Sequence, residues 1–352
     1  MDQTIRILKP GLLTTVQDQG RSGCAHLAIS QGGALDQGAL ALANVMVGNP
    51  EAAAGLEITG IGPTLYFAHE TAIAWCGAAL DAELSLTRQT RREPTGVLSL
   101  PSHRPIVVPA GSLVRWPVMR QGFRSWIACA GGIDAPDVLG SRSSHLAAGI
   151  GGTALLAGDQ LMLGPDAQIN TDKVKALILA SGASQMNSSA PMLRASWSIP
   201  TQLPFGWPRL EIAVMTGRHF DALSLAAQNA LFNQAFKVSP QSNRQGLQLA
   251  GLPISTDGLA EIRSEPVRAG TLQLPQSGLP VLLLAEHQTV GGYPRVLEAL
   301  SPEVAALSQA GPGTEICFRR VSLAEAIAAR DKNDHQRLAL LAAIAAKFSS
   351  CR

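Results

Sequence analysis

Between Ala285 and Arg295 the chain reads Ala-Glu-His-Gln-Thr-Val-Gly-Gly-Tyr-Pro-Arg. An apolar run from Val281 to Ala285 ends there in an acid, an imidazole and a primary amide. Glu286 and His287 are proton-transfer groups, Gln288 and Tyr293 can hold a polar substrate, and Arg295 can neutralise negative charge. The paired Gly291 and Gly292 permit close backbone approach to a ligand. A loop set on a rigid strand is a common place for reactive groups. The density of polar residues here favours that reading over a hairpin whose side chains only satisfy the backbone.

Three further groups carry possible chemistry. In Gln17-Asp18-Gln19-Gly20-Arg21, an acid and a guanidinium flank a glycine and can position an anionic substrate. The same pattern also suits a solvated turn with a weak local ion pair. In Ser30–Asp36, Gly32 and Gly33 precede a helix whose N-cap is Asp36. This is either a concavity of backbone N–H groups for an anion or a tight turn. Ser141 and Arg142, like Ser242 and Arg244, set a hydroxyl near a guanidinium in a loop. Such donors suit an oxyanion or a phosphoryl group, or bond their own turns. Arg244→Ala and Gln288→Ala are expected to abolish turnover and leave the fold intact.

Other chemistries lack their signatures. The seven histidines and five cysteines show no metal-ligand spacing, so no metal site is expected. There is no Gly-x-Ser-x-Gly elbow, no dinucleotide glycine fingerprint and no Lys-Ser/Thr after the glycines of 32–33. No Met-Lys-Met stretch is present to carry biotin. A net charge of +2 without a basic block argues against a nucleic-acid partner. No basic-then-apolar leader and no apolar run of about 20 residues appears. A cytoplasmic protein with reduced thiols and no membrane contact is the expectation.

The groups must be held by β structure. With 34 Gly and 22 Pro, and short apolar runs at 65–67, 72–75, 106–108, 113–116, 126–130 and 161–163, the chain reads as mainly β with α elements. Strands are expected at 4–8 and 12–17, and a helix after Asp36 that Gly48 and Pro50 end. A further helix is expected at 221–236, and Ser322–Glu325 is a capping box opening one or two terminal helices. Residues 1–180 form an N-terminal β-rich module, 181–208 a linker or long loop, 209–321 a second β-rich module and 322–352 a helical tail. An internal echo links Val108–Pro117 with Val267–Pro275.

The blocks Pro10–Arg21, Gly32–Asp36, Leu42–Pro50, Gly55–Thr59, Ala130–Asp134, Leu139–Ser143, Val238–Arg244 and Glu286–Pro294 together resemble the allophanate-hydrolase-subunit-2-like family. This is the biotin-dependent carboxyltransferase C/D module, which includes the C subunit of 5-oxoprolinase, also called the Kip antagonist. The resemblance runs from about residue 5 to residue 320. It implies a cyclophilin-like β-barrel and an active site shared with a B-like partner (the A/B module), in a complex that also holds an A-like partner. It also implies ATP-dependent opening of 5-oxoproline to glutamate, with ATP used through the complex and this chain inactive alone. The alternatives within the family are a carboxyltransferase component using biotin on another chain and a non-catalytic partner of a Kip-inhibitor-like protein. Glu286 stands where the family has Asp, and Val290 where it has a second Thr.

Overall fold

The computed structural model describes residues 3–86, 97–181, 192–201, 209–259 and 262–349. Two compact units emerge. One comprises Met1–Gly20, Gln37–Leu203 and Arg337–Arg352, and the other Arg21–Asp36 and Pro204–Gln336. The segment Arg21–Asp36, with its paired Gly32 and Gly33, therefore belongs with the C-terminal barrel rather than with the residues on either side of it.

The first unit is built on two six-stranded sheets. One runs in the order Gln160–Met162, Thr4–Lys9, Thr64–Phe67, Ser112–Arg115, Ala82–Leu86, Leu98–Leu100. The other runs Leu193–Arg194, Ile106–Val108, Thr71–Gly77, Arg124–Cys129, Gly55–Thr59, Leu13–Gln17. Alternate residues from both sheets, among them Ile5, Ile7, Leu65, Phe67, Ile58, Ile73, Trp75 and Ile127, share one apolar core. Trp75 and Trp116 meet edge to face within it, ring centroids 5.6 Å apart.

Thr71–Gly77 and Arg124–Cys129 are buried at every residue. One face meets the core, and helices Gln37–Met46 and Ala167–Ala180 cover the other. Strands covered on both faces read as continuous apolar runs rather than alternating ones. Small side chains let the helices approach. A Cβ on Gly55 would lie 2.8 Å from Leu40 Cδ1 and 2.6 Å from the Ile127 carbonyl oxygen.

Several motif residues turn out to be struts. Asn49 donates to the Cys129 carbonyl at 2.8 Å and to Asn44 Oδ1 at 3.1 Å, and its Oδ1 accepts from Gly131 N at 2.8 Å. Asn170 Nδ2 also reaches Asn49 Oδ1, at 3.3 Å. The Leu42–Pro50 and Ala130–Asp134 blocks are thus tied together by one buried amide. Asn49→Ala strands these partners and is expected to cost about 2 kcal/mol in a denaturant titration. An unmoved midpoint refutes that assignment.

The second unit holds a closed seven-stranded barrel. Its order is Arg209–Thr216, Arg295–Ala299, Thr271–Gln273, Val281–Leu283, Gly246–Ala250, Phe236–Val238, Glu315–Arg320. The ring closes through the parallel pairing of Glu315–Arg320 with Arg209–Thr216, and closure removes open sheet edges. Buried residues on these strands include Leu210, Ile212, Leu249, Leu272, Leu282, Ile316 and the adjacent rings of Phe236 and Phe318. The class is mainly β with α elements, as expected, with five α-helices among the described residues.

The echoed segments are both strands entered from left-handed glycines, Gly111 at φ 82° and Gly270 at φ 91°. The helix expected at 221–236 is shorter. Ser224 adopts an extended ψ of 152° and caps Leu225–Asn233 by accepting from Ala227 N, while Phe236 already lies in a barrel strand. Gly48, at φ 78°, ends Gln37–Met46 as read. Ser322 and Glu325 form the expected reciprocal cap of a single helix, Leu323–Ser349. No described helix is long and apolar enough to cross a membrane. Of the stretch 181–208, residues 182–191 and 202–208 lie outside the described residues. Within it, Leu193–Arg194 pairs with Ile106–Val108.

Candidate functional site

The site residues named from sequence fall into two groups, one in each unit. In the first unit, strand Leu13–Gln17 delivers Gln17 and Asp18 to its end. Gln17 is fully buried, and its Nε2 donates to Thr15 Oγ1 at 3.0 Å and to the Ser144 carbonyl at 2.9 Å. Asp18 Oδ1 accepts from Ser141 Oγ at 2.6 Å, Ser143 Oγ at 2.5 Å and Gly20 N at 2.8 Å, and Oδ2 accepts from Arg142 N at 2.6 Å. Ser143 Oγ in turn accepts from Asp18 N. Burial alone would push the Asp18 carboxyl up. The bonds from Ser141, Ser143, Gly20 and Arg142 outweigh it and hold its pKa below the ordinary carboxylate range.

Asp18 is therefore the acceptor around which loop 139–144 is wound, and its exposure of 8% rules out the solvated turn considered from sequence. Leu139 and Gly140 both take positive φ, 57° and 77°, which turns the loop back towards Asp18. The Arg142 guanidinium reaches Asp134 Oδ1 at 2.7 Å and the Ala135 carbonyl, so it pins the neighbouring Ala130–Asp134 block. Ser141, read as a possible oxyanion donor, spends its hydroxyl on Asp18.

In the second unit, Arg244 and Glu286 are both buried, and Nε meets Oε1 at 2.6 Å. Arg244 Nη2 donates to the Gly33 carbonyl at 2.5 Å, and Gly32 N donates to the Ala285 carbonyl at 3.2 Å. Glu286 N bonds the Arg244 carbonyl at 2.9 Å. Three stretches distant in sequence, at 30–36, 239–244 and 285–295, thus close on one buried guanidinium. Arg21, in the same unit, is 1% exposed, and its N–H donates to the Gln31 carbonyl. Ser242 Oγ accepts from Gln248 N and stabilises the turn that presents Arg244.

Glu286 acts as an anchor here: its Oε1 is tied to Arg244 Nε. The burial of Arg244 also changes the expectation for Arg244→Ala, because truncation must now disturb the fold. His287 Nδ1 lies 2.6 Å from the Gln288 carbonyl. A carbonyl only accepts, so Nδ1 carries the proton and Nε2 is the basic nitrogen of that tautomer. Gln288, Gly292 and Tyr293 are exposed, whereas Gly291 is buried. The loop is braced from behind by the short pairing of Glu265–Pro266 with Val290–Gly291 and by Arg295, whose Nη2 meets Glu265 Oε2 at 3.1 Å.

Two backbone groups of the glycine loop are already engaged within the second unit. The Gly32 N–H is spent on Ala285, and Gly33 turns its carbonyl, an acceptor, towards the arginine. Asp36 stands directly before helix Gln37–Met46, as read, at the boundary between the units. Two residues that the sequence reading did not single out complete the groups. Ser143 sits inside a quoted motif, and Gln273 is a polar residue between two leucines on a barrel strand, a break in an apolar run that marks it in retrospect.

Comparison with known proteins gives a consistent picture. The family model described as carboxyltransferase domain, subdomain A and B, matches residues 27–320. Those letters differ from the C/D module that the sequence motifs resemble. A curated relative, the C subunit of 5-oxoprolinase from Escherichia coli strain K12, is 33% identical over 336 residues, covering 95% of this chain and 96% of the relative. The crystal structure of TTHA0988 superposes with a TM-score of 0.71 at 28% identity, covering 90% of this chain, which spans about half of that one (55%). The K. lactis urea amidolyase structure gives a TM-score of 0.75 at 25% identity over 96% of this chain, corresponding to 20% of the amidolyase.

Proposed function

Because the chain belongs to the family described as carboxyltransferase domain, subdomain A and B, we propose that it is one component of an ATP-dependent 5-oxoprolinase. In this reading it opens 5-oxoproline to glutamate together with a B-like and an A-like partner chain, and is inactive alone. The observation that carries the reading is the 33% identity to the C subunit of E. coli 5-oxoprolinase across nearly the whole of both chains.

The chemistry is demanding because a lactam carbonyl is deactivated by its ring nitrogen. Phosphorylation of the lactam oxygen by ATP makes that carbon far more electrophilic. In this reading ATP is used through the complex, and no nucleotide step is assigned to this chain. Its contribution is the loop 286–293, fixed by the Arg244–Glu286 tie on one side and Glu265–Arg295 on the other. On it, His287 offers a basic Nε2 for proton transfer, and Gln288 and Tyr293 are presented to hold the substrate.

Co-expression with the partner chains encoded beside it in the genome, followed by an assay of ATP-dependent glutamate release, tests the reading. Activity that requires all the chains and both ATP and 5-oxoproline is expected. Gln288 is exposed, and Gln288→Ala is expected to lower kcat/KM by about tenfold or more. Wild-type kinetics in that variant would remove Gln288 from the site. A second reading, a carboxyltransferase component acting on biotin carried by another chain, is favoured by the likeness to the urea amidolyase structure over 96% of this chain. Carboxyl transfer to or from added biotin, without glutamate release, would decide for it.

A further inference from the structure

Gln273 ends strand Thr271–Gln273 of the barrel and is 1% exposed. Its Oε1 accepts from Gln288 Nε2 at 3.0 Å. Its own Nε2 is buried and makes no hydrogen bond among the described residues. Gly291 covers this pair closely: a Cβ there would lie 2.4 Å from Gln273 Nε2 and 3.1 Å from Gln288 Nε2. Only a glycine lets the loop close over the two amides. A buried amide thus grips an exposed one, beneath a glycine that seals the contact.

A primary amide has two N–H donors and one carbonyl acceptor. When the N–H anti to the carbonyl is the one held by Gln273, the syn N–H and the carbonyl of Gln288 remain, side by side on one edge. That edge pairs with a group presenting N–H and C=O on the same side, which is a cis-amide. Cyclic amides and cyclic ureides are cis by ring closure, whereas the secondary amides of peptides are almost always trans and present the two groups on opposite sides. Without Gln273, an exposed glutamine must give up its rotamer freedom on each binding event.

We propose that Gln273 is a positioning residue that holds Gln288 as a reader of cyclic cis-amides, with Gly291 as the clamp that seals the pair. The proposal deepens the functional reading above, since it rests on Gln288 meeting the substrate. The recognised chemistry is shared by the 5-oxoproline lactam and the ureido ring of biotin, and the test separates the two.

Steady-state kinetics of the assembled complex with 5-oxoproline form the first arm. Gln273→Met, which removes the acceptor at similar volume, is expected to raise KM about tenfold while kcat changes little. Gln273→Glu keeps an oxygen for Gln288 but buries a carboxyl group, so, measured at a pH where the folded protein is intact, it is expected to restore KM part of the way towards the wild-type value. Gly291→Ala, whose Cβ displaces the pair, is expected to reproduce the KM defect independently. In the isolated chain, nitrogen-15 spectra are expected to show a Gln288 side-chain amide whose ordering is lost in Gln273→Met.

A wild-type KM in Gln273→Met overturns the proposal. So does a joint fall of kcat and melting temperature without a KM effect, which would mark a purely structural residue. Should the wild-type complex fail to turn over 5-oxoproline, the functional reading fails separately. Calorimetric titration with 5-oxoproline, free biotin and the trans-amide N-acetylglycine then reads the same variants. Weakened binding of free biotin alone assigns the edge to a ureido ring. Binding of neither cyclic compound, or equal binding of N-acetylglycine, overturns the proposal.

Discussion

Arg244→Ala is expected to destabilise the second unit by about 3–5 kcal/mol, because it leaves the Glu286 carboxylate buried without its guanidinium. The same truncation removes the Nη2 bond to the Gly33 carbonyl, leaving the Gly32 N bond to the Ala285 carbonyl to tie the 30–36 segment to the strand-end loop. Arg244→Lys keeps the charge but not the planar fork, and should fall between wild type and alanine. The double variant Arg244→Met with Glu286→Leu removes both charges together, and is expected to recover much of the lost stability. Denaturant midpoints for wild type, Arg244→Met, Glu286→Leu and the double variant complete a double-mutant cycle that measures the coupling. An additive cycle would show that the buried pair is energetically inert. If the double variant regains stability but not turnover in the assembled complex, the pair acts in catalysis through the loop it anchors. If it regains both, its role is confined to folding.

Asp18→Ala is expected to cost about 3 kcal/mol, since four donors converge on its carboxylate and hydrogen bonds to a charged acceptor exceed neutral ones. The effect depends on pH with a definite sign. The folded-state pKa lies below the ordinary carboxylate value, so the stabilisation is present in full above that value. It is lost as pH falls through the lower, folded pKa. Acid titration of wild type should therefore reveal a loss of stability below about pH 4 that Asp18→Ala lacks in part. Parallel acid profiles for the two proteins would show that the carboxylate is not the charged hub of loop 139–144. Ser141→Ala and Ser143→Ala each remove one of the four donors, and should lose correspondingly less.

The two helices that cover the inner sheet show why one was legible from sequence and the other was not. Gln37–Met46 turns an almost wholly apolar set inward, and Gly48 closes it, so spacing and punctuation agree. Ala167–Ala180 buries Ala167, Asn170, Thr171, Val174, Leu177 and Ile178, also at helical spacing. Two of those six positions are polar, so an apolar count misses the stripe. Asn170 and Thr171 are tolerated inside because Asn49 and the Ala72 N–H satisfy them, and both partners come from other parts of the chain.

The same division runs through the candidate site. Which side chains carry chemistry, where strands end in polar loops, where glycines must turn the backbone and where a helix is capped all follow from residue type and short-range spacing. These are consequences of local sterics and hydrogen bonding, and the chain order contains them. Which charge meets which, however, depends on contacts across the fold. Asp18 and Arg21 lie three positions apart and look like a pair, yet Asp18 is claimed by residues more than a hundred positions away. Glu286 looks like a base until Arg244, 42 positions earlier, closes on it. Gln273 is unremarkable in sequence until Gly291 brings Gln288 down upon it. Burial turns such encounters from weak surface attractions into strong constraints, and burial is a property of packed sheets and barrels, not of the order of residues.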